Sequence, residues 1–190
     1  MKVAITGSIA CGKSLIINYL LTKNYEVIDA DKIGHQILEN NDVKKQILSE
    51  FGKEILTDHT IDRKKLGGIV FKDKSKLEKL NQITHPKIKE IIINKFSEAK
   101  NIIFLDMALL YEINFNNIVD KVIVVHVEKE TQLIRLMERN NFSKEEALRR
   151  INSQMTSKEK SKLADFVIDN NGSKEDSYLQ MDKILEVLKG

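Results

Sequence analysis

The eight residues from Gly7 to Ser14 constrain the fold of this chain more than any other segment. Gly7-Ser-Ile-Ala-Cys-Gly-Lys-Ser14 matches the pattern G-x-x-x-x-G-K-[ST] in full, after the β-prone run 2–6 and before a helical pattern over 13–23. Glycines let successive N–H groups converge on one point, where the helix N-terminus adds partial positive charge. The segment therefore predicts a strand, a phosphate-binding loop and a helix, and it indicates binding of a nucleoside triphosphate.

Every residue of this loop is a candidate for contact with the nucleotide. Lys13 is expected to reach the β- and γ-phosphates, and the Ser14 hydroxyl is expected to bind Mg²⁺. Cys11 is favoured as a small filler that points away from the nucleotide; the alternative is an oxidation-sensitive thiol at a helix N-terminus. The predicted nucleotide-binding residues of the loop are Gly7, Ser8, Ile9, Ala10, Cys11, Gly12, Lys13, Ser14 and Leu15.

Four further apolar runs have the composition of buried strands. They lie at 26–29, 101–106, 121–127 and 166–169, and helical patterns separate them. The spacing of apolar residues after 172 predicts a closing amphipathic helix. Near-continuous apolar strands that alternate with helices are typical of a parallel sheet covered on both faces, so the predicted fold is α/β with a parallel five-stranded sheet.

Two stretches lack obvious sheet strands and have helical patterns. Residues 32–100 contain 15 Lys and Arg against 10 Asp and Glu, which is a net charge of +5. Within 129–163, Ser143 and Glu146 have the spacing of a capping box, which predicts a helix start. The predicted organisation is a core formed by three segments, a helical insertion and a smaller helical flap. Their ranges are 1–31, 101–128 and 164–190 for the core, 32–100 for the insertion and 129–163 for the flap.

Composition excludes several classes of protein. A length of 190 residues allows one core with a small inserted lobe, and the single cysteine excludes an intramolecular disulfide framework. The net charge of +3 is too weak to argue for a nucleic-acid partner. No segment approaches the roughly 20 apolar residues that cross a bilayer. We therefore expect a cytosolic protein with no nucleic-acid, membrane or obligate protein partner.

Carboxylates follow two of the predicted strands. Asp29 and Asp31 end the second strand and Asp106 ends the third, at the edge of a parallel sheet where ligands bind. Asp106 follows an apolar run, as an aspartate that helps to hold Mg²⁺ does, and the alternative is a strand-end residue without a ligand. Asp31 is either a general base that accepts a proton from an attacking hydroxyl or the N-cap of the following helix.

Arginine is scarce in this lysine-rich chain, and four of its five arginines fall within 135–150. Arg135 and Arg139 are four residues apart, so they share one face of a helix. The planar guanidinium suits the spread negative charge of a transferring phosphoryl group, so at least one of the two is expected to act there. The alternative is a solvated helix whose arginines pair with neighbouring glutamates.

These motifs together resemble the dephospho-coenzyme A kinase family over nearly the whole chain. The resemblance is carried in order by the phosphate loop, Asp29-Ala-Asp31, Phe51-Gly, Asp62-Arg63, Val70-Phe71, His85-Pro86, Asp-Met-Ala-Leu-Leu-Tyr-Glu at 106–112, Gln132 with Arg135 and Arg139, Gln154, Ala164-Asp165 and Asn170-Asn-Gly172. It implies a nucleoside-kinase-like P-loop NTPase fold with a helical substrate-binding region at 32–100 and a lid at 129–163.

The resemblance also implies ATP-dependent phosphorylation of the ribose 3′-hydroxyl of dephospho-coenzyme A, with Mg²⁺. Asp31 would then be the base, Lys13 and Arg139 would act in catalysis, and Ser14 and Asp106 would hold the metal. Arg135, Arg139, Asn170 and Gly172 would contact ATP. Arg63, His85 and Lys89, with Asp31, would hold the substrate; the alternative for His85, beside the only proline, is that it starts a helix and hydrogen-bonds locally.

The loop departs from the family pattern Gly-Gly-Ile-Gly-Ser-Gly-Lys-Ser-Thr. Ser8 and Ala10 replace glycines and restrict the backbone, and Leu15 removes a hydroxyl that would contact the α-phosphate. Ala108 stands where the family usually has proline, which should loosen that turn. These changes leave the phosphate-binding pattern itself intact.

Three other classes of function compete with this reading. Another small-molecule kinase, such as a nucleoside monophosphate kinase, would share the loop. A GTPase or ATPase switch lacks support, because the chain has no Asn-Lys-x-Asp guanine motif. A pure binding module would not need Asp31 and the arginine cluster.

Overall fold

A computed structural model describes all 190 residues, which fall into two compact units. The first unit consists of Met1–Ile28 and Ala99–Gly190, and the second consists of Asp29–Glu98. Seven strands are present: β1 (Lys2–Thr6), β2 (Glu26–Asp29), β3 (Leu56–Thr57), β4 (Thr60–Ile61), β5 (Ile103–Asp106), β6 (Lys121–His126) and β7 (Phe166–Asp169).

Nine α-helices accompany these strands. They are α1 (Lys13–Thr22), α2 (Ala30–Gln36), α3 (Asn41–Phe51), α4 (Arg63–Val70), α5 (Lys74–Glu98), α6 (Lys129–Asn140), α7 (Lys144–Asn152), α8 (Ser157–Lys162) and α9 (Lys174–Lys189). Short 3₁₀ turns occupy Ile37–Glu39, Lys53–Ile55 and Phe115–Ile118. No helix is both long enough and apolar enough to pass through a membrane.

Five strands form one sheet in the order β2-β5-β1-β6-β7, and the pairings of β1 with β5, of β1 with β6 and of β6 with β7 are parallel. The α/β fold with a five-stranded sheet is confirmed. Ile5 of the central strand lies opposite Asp106 of β5 and opposite Ile123 of β6. Because the strands are parallel, their carboxyl ends share the edge at which the chain leaves β1 for the phosphate loop.

The central strands are buried on both faces, as their continuous apolar sequences predict. Val3, Ala4 and Ile5 have no exposed surface. Ile16 and Leu20 of α1 belong to the same buried cluster. Met181, Leu185 and Leu188 of α9 join it with the spacing of one helix face, which confirms the closing helix predicted from that spacing.

The second unit has its own apolar core, formed by α3, α4, the intervening hairpin and partly buried residues of α5. The sequence did not predict the hairpin formed by β3 and β4. Its two-residue turn is Asp58-His59, with φ values of 47° and 63°. Two-residue hairpin turns with positive φ usually carry glycine, as in Asn-Gly, so this turn has no recognisable signature.

Helix α5 runs from Lys74 to Glu98 and contains Pro86 in its interior. The alternative in which His85 starts a helix was wrong. Proline cannot donate an N–H to the carbonyl four residues earlier, so one hydrogen bond is lost, but the helix continues because its flanking turns retain theirs. His85 is therefore an interior helical residue and does not start the helix.

Residues 129–163 fold as three helices, α6, α7 and α8. The predicted helix start is confirmed, because the Ser143 hydroxyl caps α7 by accepting from the Glu146 N–H at 3.2 Å. Thr156 caps α8 in a reciprocal capping box with Glu159. The three helices lie in the same unit as the sheet.

Candidate nucleotide-binding site

The phosphate loop joins β1 to α1 and has two residues in the left-handed region. Ala10 has φ 59° and Gly12 has φ 91°. A Cβ atom at Gly12 would lie 2.0 Å from Nδ2 of Asn170, so glycine is required there by both the backbone and the packing. Ala10 holds an unfavourable conformation that glycine, the residue usual in the resembling family, adopts without strain.

A Cβ atom at Gly7 would also clash, 2.5 Å from Sγ of Cys11 and 2.7 Å from the Val125 carbonyl oxygen. The first glycine of the motif is thus fixed by close packing beneath the loop. Cys11 is 1% exposed, and burial raises the pKa of its thiol despite opposing hydrogen bonds and nearby lysines. The side chain is a buried filler, and its thiol is protonated and out of contact with solvent.

Lys13 and Asp106 form an ion pair at the edge where β1 and β5 end. Their side chains are 16% and 17% exposed, so the pair is partly shielded from water. The parallel register explains the contact, because Asp106 lies opposite the last residues of β1. Lys13, the residue expected to reach the phosphates, therefore lies beside the carboxylate expected to help hold the metal.

The residues predicted to hold Mg²⁺ have suitable chemistry. Ser14 is exposed in the first turn of α1, and Asp106 supplies a carboxylate oxygen at the same end of the sheet. Hydroxyl and carboxylate oxygens are the hard ligands that Mg²⁺ prefers, with phosphate oxygens and water completing its shell. The donor set fits a nucleotide-bound magnesium ion.

Three residues of the expected lid form hydrogen bonds with the outer side of the loop: Gln132 and Gln154 through their side chains, and Met155 through its carbonyl. Gln132 donates from Nε2 to the Ile9 carbonyl at 2.7 Å, and the Ile9 N–H donates to Oε1 of Gln154 at 2.9 Å. Ser8 is 3% exposed and donates its hydroxyl to the Met155 carbonyl at 2.8 Å. Serine in place of the family's glycine thus adds a hydrogen bond, which a glycine would lack.

Asn170 follows β7 and is 4% exposed. Its Nδ2 donates to the Cys11 carbonyl at 2.8 Å, and its Oδ1 accepts from the Ser177 hydroxyl at 2.9 Å. Arg135 donates to the Asn170 carbonyl at 3.0 Å. The structure therefore brings both residues to the phosphate loop, where Asn170 contacts the loop backbone directly.

The remaining arginines of the 135–150 cluster are in exposed positions. Nε of Arg139 donates to Oδ1 of the adjacent Asn140 at 2.9 Å. Arg150 lies 3.8 Å from the Glu146 carboxylate and 5.7 Å above the Phe142 ring. Gly172 lies in the exposed turn after β7. The roles of Arg139 and Gly172 at the nucleotide stay predictions.

Asp29, rather than Asp31, is the N-cap of α2, since its carboxylate accepts from the Lys32 N–H at 2.8 Å. Asp31 lies in the first turn of that helix, and its side chain is exposed. The alternative in which Asp31 is the N-cap was therefore wrong, because the cap lies two residues earlier. A first-turn carboxylate is stabilised by the helix dipole without being used as a cap, which leaves both oxygens accessible.

The other predicted substrate-binding residues lie in the second unit. Arg63 begins α4 and contacts Nε2 of His35 at 2.6 Å. His85 and Lys89 lie one turn apart on α5 and are half-buried. Burial lowers the pKa of His85, so its ring is neutral near pH 7 and offers a hydrogen bond rather than a charge.

A buried ion pair near the loop was not predicted from the sequence. Lys160 has no exposed surface and lies 2.9 Å from the Glu112 carboxylate, while Ala108 accepts from both Lys160 and Thr6. These bonds hold the turn that Ala108 was expected to loosen. The local sequence Ser-Lys-Glu-Lys-Ser-Lys over 157–162 gives no signal that its second lysine is buried, because three lysines alternate with other polar residues.

The fold and the loop define the class: this is a P-loop nucleotide-binding protein of the kinase type, in which a strand, the phosphate loop and a helix precede an aspartate at the end of a neighbouring strand. Comparison with known proteins narrows the class. The sequence profile of dephospho-CoA kinase matches residues 1–176. The chain belongs to the dephospho-CoA kinase family.

Individual relatives agree with the family. A dephospho-CoA kinase of Oceanobacillus iheyensis is 46% identical over 98% of this chain and 96% of its own length. The solved structure of a Thermus thermophilus protein superposes with a TM-score of 0.87 at 30% identity, covering 100% of this chain and 98% of that one. The dephospho-CoA kinase structure from Campylobacter jejuni gives 0.76 at 38% identity, covering 100% and 99%.

Burial of Cys11 predicts that its thiol is inert in the folded protein. Treatment with iodoacetamide should leave nucleotide binding unchanged and should not modify Cys11 until the chain is denatured, as measured by mass spectrometry of the intact protein. Rapid alkylation under native conditions, accompanied by loss of ATP binding, would favour the oxidation-sensitive alternative instead.

Gly12→Ala should both destabilise the protein and weaken nucleotide binding. The left-handed backbone costs an alanine about 1–2 kcal/mol, and the methyl group must displace the Asn170 amide. Thermal unfolding and calorimetric titration with ATP measure the two effects. Gly68→Ala is the matched control, because a Cβ there meets no atom within 4 Å and the helix should gain up to about 1 kcal/mol. Equal stability of the two variants would contradict the packing argument.

Proposed function

We propose that this protein transfers the γ-phosphate of ATP to the ribose 3′-hydroxyl of dephospho-coenzyme A, forming coenzyme A and ADP. The observation that carries the proposal is the phosphate loop with Lys13 beside Asp106, in a chain whose family profile spans residues 1–176. The loop fits the triphosphate, and the family supplies the acceptor. A nucleoside monophosphate kinase would share the loop but not this family.

The ion pair suggests how the site accommodates ATP. Phosphate oxygens would replace Asp106 as the partner of Lys13, since a triphosphate carries more negative charge than one carboxylate. Asp106 is then available to hold Mg²⁺ together with Ser14. The metal ion, when bound, neutralises charge on the phosphate oxygens. Arg135 and Arg139 would add guanidinium donors to the same phosphates, where they stabilise the charge that develops during transfer.

Asp31 is proposed as the general base. The 3′-oxygen attacks the γ-phosphorus while its proton passes to the Asp31 carboxylate, and the bond from phosphorus to the β–γ bridging oxygen breaks to release ADP. Exposure of the carboxylate in the first turn of α2 is compatible with this role. Arg63, His85 and Lys89 would hold the phosphate-bearing acceptor, with His85 acting as a neutral hydrogen-bonding group.

Substitutions separate these two roles. Lys13→Ala should lower kcat by about 100-fold or more and weaken ATP binding, because one charge-stabilising donor is lost. Asp31→Asn should lower kcat by about 100-fold or more while ATP affinity stays close to that of the parent protein. Steady-state ADP release gives kcat, and calorimetric titration gives the affinity for ATP.

The control for Asp31 is Asp29→Asn. Asparagine caps helices as well as aspartate does, so kcat and stability should both be retained. A near-normal kcat for Asp31→Asn would remove Asp31 from the role of base.

The acceptor is tested by measuring ADP release with a panel of compounds. Dephospho-coenzyme A should give rapid ADP release, while AMP, nucleosides and pantetheine compounds should give rates near that of ATP alone. Product analysis by mass spectrometry should find the added phosphoryl group on the ribose. Faster turnover with AMP would identify a nucleoside monophosphate kinase, and rapid ATP hydrolysis without acceptor would identify an ATPase.

A further inference from the structure

From Ile9 to Gly12, N–H groups that donate a hydrogen bond within the protein alternate with N–H groups that donate none. Ile9 donates its N–H to Oε1 of Gln154 at 2.9 Å, and Cys11 donates its N–H to the Ser8 carbonyl at 3.2 Å. The residues between and after them, Ala10 and Gly12, donate to no group within the chain. Of the four N–H groups from Ile9 to Gly12, two are thus occupied and two are available to a ligand.

The carbonyls alternate in the complementary way. The Ile9 carbonyl accepts from Nε2 of Gln132 at 2.7 Å, and the Cys11 carbonyl accepts from Nδ2 of Asn170 at 2.8 Å. In a trans peptide the C=O of one residue and the N–H of the next point in opposite directions in one plane. A side chain that holds the Ile9 carbonyl therefore fixes the direction of the Ala10 N–H, and one that holds the Cys11 carbonyl fixes that of Gly12.

We propose that Gln132 and Asn170 are positioning residues that aim the N–H groups of Ala10 and Gly12 at the phosphates by holding the preceding carbonyls on the opposite side of the loop. The proposal concerns ATP and so rests on the nucleotide-binding part of the proposed function, but not on the identity of the acceptor. With these two hydrogen bonds, the loop has its phosphate-binding conformation before ATP binds.

Burial gives these two bonds their strength. Gln132 is 3% exposed and Asn170 is 4% exposed, so water cannot easily replace either amide. Arg135 lies one turn after Gln132 on α6 and donates to the Asn170 carbonyl, so one face of α6 supports both amides. Ile9 and Ala10 also pack against the apolar cluster of Leu136, Ala147 and Ile151.

The left-handed backbone of Ala10 shows why outside support is needed. Alanine resists this conformation by about 1–2 kcal/mol, so the loop would relax unless other contacts hold the peptide that precedes it. That peptide joins Ile9 to Ala10, and it is the one whose carbonyl Gln132 holds. The hydrogen bond and the strained residue therefore lie on the same peptide unit.

Gln132→Glu is the decisive variant because it keeps the shape of the side chain and removes the donor. A carboxylate oxygen would face the Ile9 carbonyl oxygen, and the peptide would turn away from it. We expect the Kd for ATP to rise by about tenfold or more, as a buried acceptor without its partner predicts, while the KM for dephospho-coenzyme A changes by less than about twofold. Asn170→Asp should behave in the same way, since its retained Oδ1 still accepts from Ser177.

Variants of two other glutamines distinguish a loss of N–H orientation in the loop from a general loss of stability. Gln180 donates from Nε2 to the Asp169 carbonyl at 2.9 Å, outside the loop, so Gln180→Glu loses the same kind of bond. Its Kd for ATP should stay within about twofold, and its Tm should fall by less than that of Gln132→Glu because the Gln180 bond is more exposed to water. Gln154 accepts from Ile9 instead of donating, so Gln154→Glu keeps the bond and should weaken ATP binding less than Gln132→Glu does.

Binding of ATP is measured by calorimetric titration at fixed Mg²⁺, and Tm by thermal unfolding. If Gln132→Glu does not fold, Gln132→Met removes the donor without burying a charge and takes its place. Parent-like ATP affinity in the folded Gln132 variant and in Asn170→Asp overturns the proposal, as does equal weakening by Gln180→Glu. A chain that binds ATP in this pattern but does not phosphorylate dephospho-coenzyme A contradicts the proposed acceptor and leaves the aiming role supported.

Discussion

The parallel pairing of β1 with β5 on one side and β6 on the other determines where the phosphate loop, Asp106 and Asn170 lie. The chain leaves β1 into the phosphate loop at the same edge at which β5 ends in Asp106 and β7, the neighbour of β6, runs into Asn170. Were β5 antiparallel, Asp106 would lie at the opposite edge, about four residues or roughly 13 Å away. The ion pair with Lys13 follows from strand direction.

The contacts beneath and outside the loop have different consequences. Gly7 and Cys11 fill the space below it, where an added methyl group would clash with Sγ and with the Val125 carbonyl. Gln132 and Asn170 instead supply donors to main-chain carbonyls. The first kind of contact fixes the position of the loop, and the second fixes the directions of its peptide groups. A loop that binds phosphate through N–H groups needs both.

The sequence predicted the five strands of the main sheet, the closing helix and the helix start at Ser143, because each has a local signal: an apolar run, a periodic face or a capping residue. Features without a local signal were missed or misplaced. The hairpin turn at Asp58-His59 lacks glycine, and Lys160 is buried within a polar hexapeptide. The cap of α2 fell on Asp29 instead of Asp31, since two aspartates two residues apart give the same signal. Tertiary contacts decide such positions.

Tertiary contacts also limit which part of residues 129–163, the expected lid, can move. Ile9 accepts a hydrogen bond from Gln132 and donates one to Gln154, and Lys160 forms a buried ion pair with Glu112. These contacts hold both ends of residues 129–163 against the loop and the adjoining turn. Displacing the whole segment would break all of them, at about 1 kcal/mol or more for each buried bond. Displacing only the end of α6 and the start of α7 would break none of these hydrogen bonds or the ion pair. Arg139, which is proposed to act at the phosphates, lies in that part, so a movement that carried it toward ATP would leave the bond from Gln132 to the loop in place.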